Sequence, residues 1–341
     1  MIRLEVGVFA HNEARNILKT LTGMARQEAT GLDVRVLVLA NGCSDDTVDL
    51  ARTFAEPHNA RSLNIRIEVI ELAEGGKSRT WNRFVHELSR SDADVLMFAD
   101  ADIELPASDS FLRLVRQSIS RPELYVVNSK PIKDIVYRPS DLGLKDRVIA
   151  MGSGTLSDWK KAICGQLYVM PAVKARCFHV PIGLPVEDGF IRAMILTDVL
   201  TIDEDLSRID GDDVFHIFAS ERSILSLIRH QTRIIIGSAI NSAIYGFLSE
   251  IPSAQRRAVL ADAAKNDQWL PTVIESRLPQ WPYGWIPIYY LIKRVSFIAG
   301  HPRKLLQPRQ LATLFLGLGF DFVVYVNAQL KMARGVGAGH W

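Results

Sequence analysis

Segments rich in apolar and β-branched residues alternate with segments of helical periodicity through the first third of the chain. The predicted strands are 4–10, 33–40, 64–72 and 94–100. A first helix is expected to start near Asn12, whose side chain could cap it, and further helices are expected over 47–56 and 78–90. Strands and helices alternating at this spacing predict an α/β fold, with a mostly parallel twisted sheet covered by helices on both faces.

Polar loops follow three of these predicted strands at the point where each strand ends. The sequence AHNE follows the first strand, NGCSDD follows the second, and DAD closes the fourth. Ligands of open α/β sheets bind at the carboxyl ends of the strands, which meet at one edge. The three loops therefore predict a ligand site at that edge.

The acidic pair Asp100 and Asp102 is the first candidate for chemistry. Residues i and i+2 point to the same side just past a strand, and two carboxylates there suit a hard divalent cation or hydroxyl groups. A solvated loop can have the same sequence. Residues 75–77, GGK, precede a helix and could present N–H groups and a cation to phosphate. Residues 41–42, Asn-Gly, also suit an ordinary turn.

Composition and missing motifs narrow the possible classes of protein. A chain of 341 residues with 48% hydrophobic residues is long enough for one large domain or two ordinary ones. Its three cysteines lack CxxC spacing, which argues against a disulfide framework or a thiolate zinc site. Neither a Walker loop nor GxGxxG is present. The first residues lack the pattern of a secretory signal, so a cytoplasmic protein is expected.

The C-terminal segment 277–341 differs from the rest of the chain in charge. It carries eight Lys or Arg and one acidic residue, Asp321, although the whole chain has a net charge of only +2. An apolar run over 311–326 is shorter than the roughly 20 residues that span a bilayer. The segment also contains the aromatic residues Trp281, Tyr283, Trp285, Tyr289 and Tyr290. These features predict peripheral attachment to an anionic membrane, on the inner face of the cytoplasmic membrane.

A helical subdomain that packs on the first part of the chain, or that forms a homodimer, is the alternative for this C-terminal region. Helices are expected over 239–251 and 254–278. Basic residues with aromatics occur only in this part of the chain, and no nucleic-acid partner is expected.

Seven short motifs together resemble the inverting family-two glycosyltransferases of the GT-A fold. They are VFAHNEARNI, VLANGCSDDT, GGKSRTWN, FADADIEL, GQLYVMP, LPVEDGFI and HQTRIIIG. The resemblance covers about residues 4–237. It implies a GT-A nucleotide-sugar-binding domain over 1–237, with a donor half to about residue 105 and an acceptor half over 106–237. A helical C-terminal region, 238–341, would follow. The last motif resembles QxxRWxxG, with His230 at the Gln position and Ile234 at the Trp position.

The resemblance also implies a reaction, transfer of a sugar from a nucleotide-sugar donor to an acceptor hydroxyl. The basic and aromatic C-terminal segment favours a lipid, a lipid-linked glycan or a cell-envelope glycan as the acceptor, and a soluble acceptor is the alternative. Asp188 would be the general base, and the neighbouring Glu187 would orient the site or bind the acceptor. Asp102, with Asp100, would hold Mg²⁺ or Mn²⁺ on the diphosphate. The implied donor-binding residues are Ala10, Asn12, Glu13, Asn41, Lys77, Asp100, His230 and Arg233.

Other functions remain open at this point. A sugar-1-phosphate nucleotidylyltransferase would share the sheet and the metal, but it should open with a GxGxR-type loop. A non-catalytic nucleotide-sugar-binding module should lack the base, whereas VEDG is present at 186–189. The acids Glu187 and Asp188 also fit an ordinary helix start, where the helix dipole favours negative charge.

Overall fold

The strands and helices of the chain enclose two apolar layers, one on each face of a central sheet. They are seen in a computed structural model that describes residues 1–61, 64–139, 158–278, 284–292 and 308–335.

Seven strands of the described residues form this sheet, in the order β3-β2-β1-β4-β6-β5-β7. They are β1 (Ile2–Ala10), β2 (Leu32–Asn41), β3 (Ile65–Leu72), β4 (Val95–Asp100), β5 (Val126–Lys133), β6 (Leu167–Pro171) and β7 (Ile209–Phe218). The first four strands are mutually parallel, β6 runs antiparallel to both β4 and β5, and β7 is parallel to β5. The predicted mostly parallel sheet is confirmed.

The strand sequences explain why both faces of the sheet are buried. Alternate residues of β1 point to opposite faces, so Val6 and Val8 pack in one apolar layer and Phe9 packs in the other. In β2, Val36 and Val38 follow the same alternation against Leu37 and Leu39, which are equally buried. Strands buried on both faces are expected to be nearly continuous in apolar residues, as these are.

Helices cover both faces of this sheet. They are α1 (Ile17–Ala25), α2 (Thr47–Asn59), α3 (Lys77–Arg83), α4 (Ser110–Ser120), α5 (Asp134–Tyr137), α6 (Ala172–Ala175), α7 (Glu187–Leu196), α8 (Ile224–Ser249), α9 (Ser253–Ala263), α10 (Trp269–Arg277) and α11 (Pro308–Ala333). A π-helical turn, Phe84–Leu88, continues α3. The predicted helix start near Asn12 is wrong, because α1 begins at Ile17 with Asn16 preceding it.

The C-terminal helices pack on the part of the chain that forms the sheet. Gly237, the predicted domain boundary, lies inside α8, and buried residues on both sides of it belong to one apolar layer. Asn327 of α11 donates a hydrogen bond to Thr232 of α8 at 3.2 Å. Among the described residues, no helix has the length and apolar character needed to cross a membrane.

The aromatic residues of the C-terminal segment divide between packing and exposure. Trp285 and Tyr290 pack against the apolar core, whereas Tyr289 is exposed. Trp281 and Tyr283 lie outside the described residues.

Candidate active site

Asn41, at the end of β2, joins three loops at the carboxyl edge of the sheet. Its side chain is buried, its Nδ2 donates to the carbonyl of Ala10 at 2.8 Å, and its Oδ1 accepts from the N–H of Gly76 at 3.2 Å. Gly42 has a φ of +58°, and a Cβ there would lie 3.1 Å from the backbone of Gly75. The loops therefore pack backbone to backbone, and the amide of Asn41 is used within the protein.

Asn12 holds the loop after β2 rather than capping a helix. It adopts a left-handed φ of 56°, and its Oδ1 accepts a hydrogen bond from the N–H of Ser44 at 2.8 Å. The neighbouring Glu13 accepts a hydrogen bond from Asn16 Nδ2 at 2.8 Å. The AHNE and NGCSDD loops are thus fixed to each other, and Glu13 lies at the site with its carboxylate half-buried.

Lys77, the first residue of α3, lies between the donor and acceptor halves of the predicted site. Its Nζ is 2.7 Å from Asp100 Oδ1 and 3.2 Å from Glu187 Oε1, and it donates to the carbonyl of Gly165 at 3.3 Å. Burial lowers the pKa of Lys77, but the charges of Asp100 and Glu187 outweigh burial, and the net shift is upward. The lysine is therefore a fixed cation.

Three carboxylates at the strand ends share a region of excess negative charge. Burial raises the pKa of Asp100, of Asp102 and of Glu13, and in each case a neighbouring carboxylate raises it further. Lys77 offsets only part of this effect at Asp100 and Asp102. Uncompensated carboxylate oxygens at this edge fit a divalent cation, which would lower the electrostatic cost of bringing them together.

The described residues do not form a complete metal cage by themselves. No group of three or more His, Cys, Asp or Glu side chains within them has the geometry to hold a metal ion. Mg²⁺ is commonly held by one or two carboxylates together with substrate phosphates, so the pair Asp100 and Asp102 fits a metal that needs a diphosphate to complete its coordination.

Asp188 lies in the first turn of α7, next to Glu187. Burial and then the charge of Glu187 raise the pKa of Asp188 to about 6, although Lys77 acts in the opposite direction. Asp188 Oδ1 accepts a hydrogen bond from the N–H of Gly189 at 2.8 Å, and Oδ2 lies alongside Gly165. Glu187 pairs with Lys77, whereas Asp188 forms no ion pair with the described part of the chain.

His230 and Arg233 lie one turn apart on α8, as predicted. The charge of Arg233 acts to lower the pKa of Asp188, but its effect is smaller than those of burial, Glu187 and Lys77. Burial and then the charge of Arg233 lower the pKa of His230, and Lys133 adds to the effect. The positive charges of Arg233 and Lys133 therefore favour the neutral form of His230.

Gln166, which lies in the motif GQLYVMP, and His216 were not predicted as individual site residues. The carbonyl of Gln166 accepts the N–H of Asp100 at 2.9 Å, and its Oε1 lies 3.1 Å from His216 Nε2. His216 is fully buried, which lowers its pKa to about 3 and keeps the ring neutral. Strand β7 alternates between the two faces of the sheet, and a histidine at one of its inward positions could have indicated a buried polar residue at the site.

The fold and a match to a family model indicate the class of protein. A mostly parallel sheet with helices on both faces is the GT-A fold expected from the sequence. Residues 5–139 match the family model described as Glycosyl transferase family 2. The match over residues 5–139 agrees with the predicted resemblance to family-two glycosyltransferases, and the predicted fold is confirmed.

Solved structures with the same fold include the mannosyltransferase PcManGT from Pyrobaculum calidifontis, determined with GDP-Man and Mn²⁺. It is 16% identical, with a TM-score of 0.52, and the match covers 95% of this chain and 86% of that one. Glucosyl-3-phosphoglycerate synthase from Mycobacterium tuberculosis, solved with Mg²⁺ and UDP, is 16% identical over 74% of this chain and 80% of its own, with a TM-score of 0.45.

A third solved structure is residues 1–349 of S. aureus TarS with UDP-GlcNAc. It is 15% identical over 98% of this chain and 92% of its own, with a TM-score of 0.43. No curated protein matches this chain at a significant level.

Proposed function

We propose that this glycosyltransferase is an inverting enzyme in which Asp188 is the general base. The observation that carries the proposal is which carboxylates form ion pairs with Lys77 and which does not. This lysine pairs with Asp100 and Glu187, whereas the buried Asp188 has no ion pair among the described residues and a pKa raised to about 6. A carboxylate with a pKa near the working pH is suited to accept a proton.

In the proposed reaction the acceptor hydroxyl gives its proton to Asp188. The acceptor oxygen forms a bond to the anomeric carbon while the bond from that carbon to the diphosphate oxygen breaks, and the nucleoside diphosphate leaves. One base on the face opposite the leaving group inverts the configuration without a covalent intermediate. Because Gly189 holds Oδ1 of Asp188, Oδ2 is the oxygen that takes the proton.

On the donor side, the acidic residues would bind the metal and the basic residues would bind the phosphates. Asp102, with Asp100, would hold Mg²⁺ or Mn²⁺, which would neutralise charge on the leaving diphosphate. Lys77, His230 and Arg233 bind the phosphates, and Glu13 lies next to the nucleoside. Three further residues shape the donor loops through the contacts described above: Ala10, Asn12 and Asn41. PcManGT, which has the same fold, was solved with GDP-Man and Mn²⁺, and this supports a nucleotide-sugar donor and a divalent metal here.

The acceptor is a lipid or a lipid-linked or cell-envelope glycan, presented at an anionic membrane surface. Support comes from α11, where Phe315, Leu316 and Phe322 are 70%, 77% and 57% exposed. The same helix packs on α8, which carries Arg233 and contacts the backbone at Val186, two residues before Asp188. An exposed apolar helix face next to basic residues is suited to an interfacial position on a membrane.

The catalytic proposal is tested with purified protein, a panel of nucleotide sugars and Mg²⁺ or Mn²⁺. Release of nucleoside diphosphate is expected from the wild type. Asp102→Asn should abolish metal-dependent nucleotide binding, and Asp188→Asn should keep that binding but lose roughly 10²-fold or more of the transfer rate. Pyrophosphate release from a nucleoside triphosphate and a sugar 1-phosphate would show a nucleotidylyltransferase instead. Binding of nucleotide sugar without turnover would show a binding module.

The membrane proposal is tested by flotation with liposomes of anionic and of zwitterionic lipid. Salt-sensitive binding to the anionic liposomes is expected, and Phe315→Ser with Leu316→Ser should abolish it. If the wild type ignores anionic liposomes at low salt and sediments as a dimer that these substitutions dissociate, the exposed face of α11 is a homodimer contact.

A further inference from the structure

Three residues of α8 contact the short segment that carries the candidate base. Gly237, Asn241 and Tyr245 are spaced by four residues, so they lie on one face of the helix. The segment they contact is Val186–Gly189, which begins α7 and includes Asp188. This contact lies behind the base rather than in the donor site.

Two hydrogen bonds from this face reach backbone carbonyls on either side of Asp188. Asn241 Nδ2 donates to the carbonyl of Val186 at 3.1 Å, and the hydroxyl of Tyr245 donates to the carbonyl of Gly189 at 3.1 Å. Gly237 permits the close approach, because a Cβ there would lie 2.4 Å from Val186 Cγ2. The first turn of α7 is therefore held at two points by another helix.

In the part of the chain that the structure describes, the buried amide of Asn241 is paired at its nitrogen but not at its oxygen. The side chain is only 5% exposed, and its Oδ1 has no hydrogen-bond partner among the described residues. A buried polar atom without a partner costs stability, and an apolar side chain of the same shape avoids that cost. The amide does make one bond, to the carbonyl of Val186.

We propose that Asn241 and Tyr245 are positioning residues that hold the carboxylate of Asp188 in place through the backbone of α7. The proposal rests on the proposed role of Asp188 as the base. A single residue, Gly189, links the hydroxyl of Tyr245 to the carboxylate of Asp188. Its carbonyl accepts from Tyr245, and its N–H donates to Asp188 Oδ1 at 2.8 Å. If the peptide of Gly189 moves, the carboxylate of Asp188 that is bonded to it moves as well.

The isosteric variants Tyr245→Phe and Asn241→Leu remove the hydrogen bonds and keep the packing. We expect each to lower kcat about 10-fold or more, because small misplacements of a catalytic group are costly, while the donor KM changes less than about twofold. The acidic limb of the pH profile should also move upward, because the N–H of Gly189 helps to lower the pKa of Asp188. Other groups that face this carboxylate stay unchanged in the variants: Glu187, Lys77, Arg233, Cys164 and Tyr168.

Tyr325→Phe is the matched control, since it removes a tyrosine hydroxyl that donates to the carbonyl of Ile286 away from the base. It should leave kcat and the pH profile unchanged. Unfolding curves of all variants show whether the fold is intact, and kcat is compared among the variants that stay folded at the assay temperature. If the wild type is active while Tyr245→Phe and Asn241→Leu retain its kcat and pH profile, the positioning role is wrong. If the wild type itself neither transfers nor hydrolyses a nucleotide sugar, the proposed function has failed instead.

Discussion

The ammonium group of Lys77 lies 2.7 Å from the carboxylate of Asp100 and joins it to the acidic start of α7. Asp100 ends the strand that carries the DxD pair, and Glu187 begins the helix that carries the candidate base. One cation therefore balances charge from the donor side and from the acceptor side. Its removal should affect both.

Lys77→Met is expected to weaken binding of nucleoside diphosphate about tenfold or more, since a charge-assisted contact is lost. It should also raise the pKa of Asp188 above about 6, because Lys77 lowers that pKa. Calorimetric titration measures the first effect, and the acidic limb of the rate profile measures the second. Lys19→Met is the control, because Lys19 pairs with Glu104 away from these groups. Unchanged affinity in Lys77→Met would remove this lysine from the donor site.

The pKa of Asp188 predicts opposite effects of pH on rate and on stability. The transfer rate should fall below about pH 6, where the base is protonated. The carboxyl has a higher pKa in the folded protein than its ordinary 3.8, so the folded state binds more protons between these values and loses stability as pH rises. Asp188→Asn should therefore be more stable than the wild type at pH 7, by about 2 to 3 kcal/mol, while losing activity.

Urea unfolding at about pH 7 and about pH 4 separates these effects, since the advantage of Asp188→Asn should nearly vanish at the lower value. A rate profile that stays flat down to about pH 4 would assign the base elsewhere, and Glu187 would be the first residue to test.

The strands could be predicted from sequence because short runs of apolar and β-branched residues fit few structures other than a buried strand. Strand β4, for example, begins at Val95 and ends at Asp100, within one residue of the prediction. The convergence of the polar loops followed from the parallel sheet alone. The family resemblance then supplied Asp188 and Glu187, which local pattern could not distinguish from an ordinary helix start.

Long-range contacts account for what the sequence did not predict. Asn12 is a residue type that commonly caps helices. Here its side-chain oxygen instead accepts a hydrogen bond from Ser44 in the loop after β2, and its backbone has a left-handed φ. Asn41 is a residue type expected to bind a ligand or to form a turn. Here its amide instead forms hydrogen bonds with the backbone of Ala10 and Gly76. In both cases a partner more than thirty positions away decides the role, and no local periodicity encodes it.

The stacked histidines His86 and His179 predict a loss of stability in mild acid. Their ring centroids are 3.8 Å apart, and burial and then the neighbouring ring lower the pKa of His86 to about 4. The unfolded chain binds a proton near pH 6.5, so this contribution is complete above that value and is lost as pH falls towards about 4. His86→Phe, which keeps the ring stacking, should lose less stability than the wild type between about pH 7 and about pH 5.

Chemical denaturation at each pH measures this difference, and His58→Gln serves as a control at a histidine that bonds to Ile65. Equal pH dependence in His86→Phe and the wild type would show that the pair does not control acid stability.

Two glycines of α8 should respond in opposite ways to alanine. A Cβ at Gly237 would lie 2.4 Å from Val186 Cγ2 and 3.2 Å from Val186 N, so turning the valine side chain cannot relieve the contact. Gly237→Ala should therefore destabilise the protein by about 1 to 3 kcal/mol and push the start of α7 away from α8. At Gly246, which is exposed, a Cβ meets no atom within 4 Å, and Gly246→Ala should gain up to about 1 kcal/mol from helix propensity. Thermal unfolding and transfer rates of the two variants decide the matter: a Gly237→Ala protein as stable and as active as Gly246→Ala would mean that α8 does not set the position of Asp188.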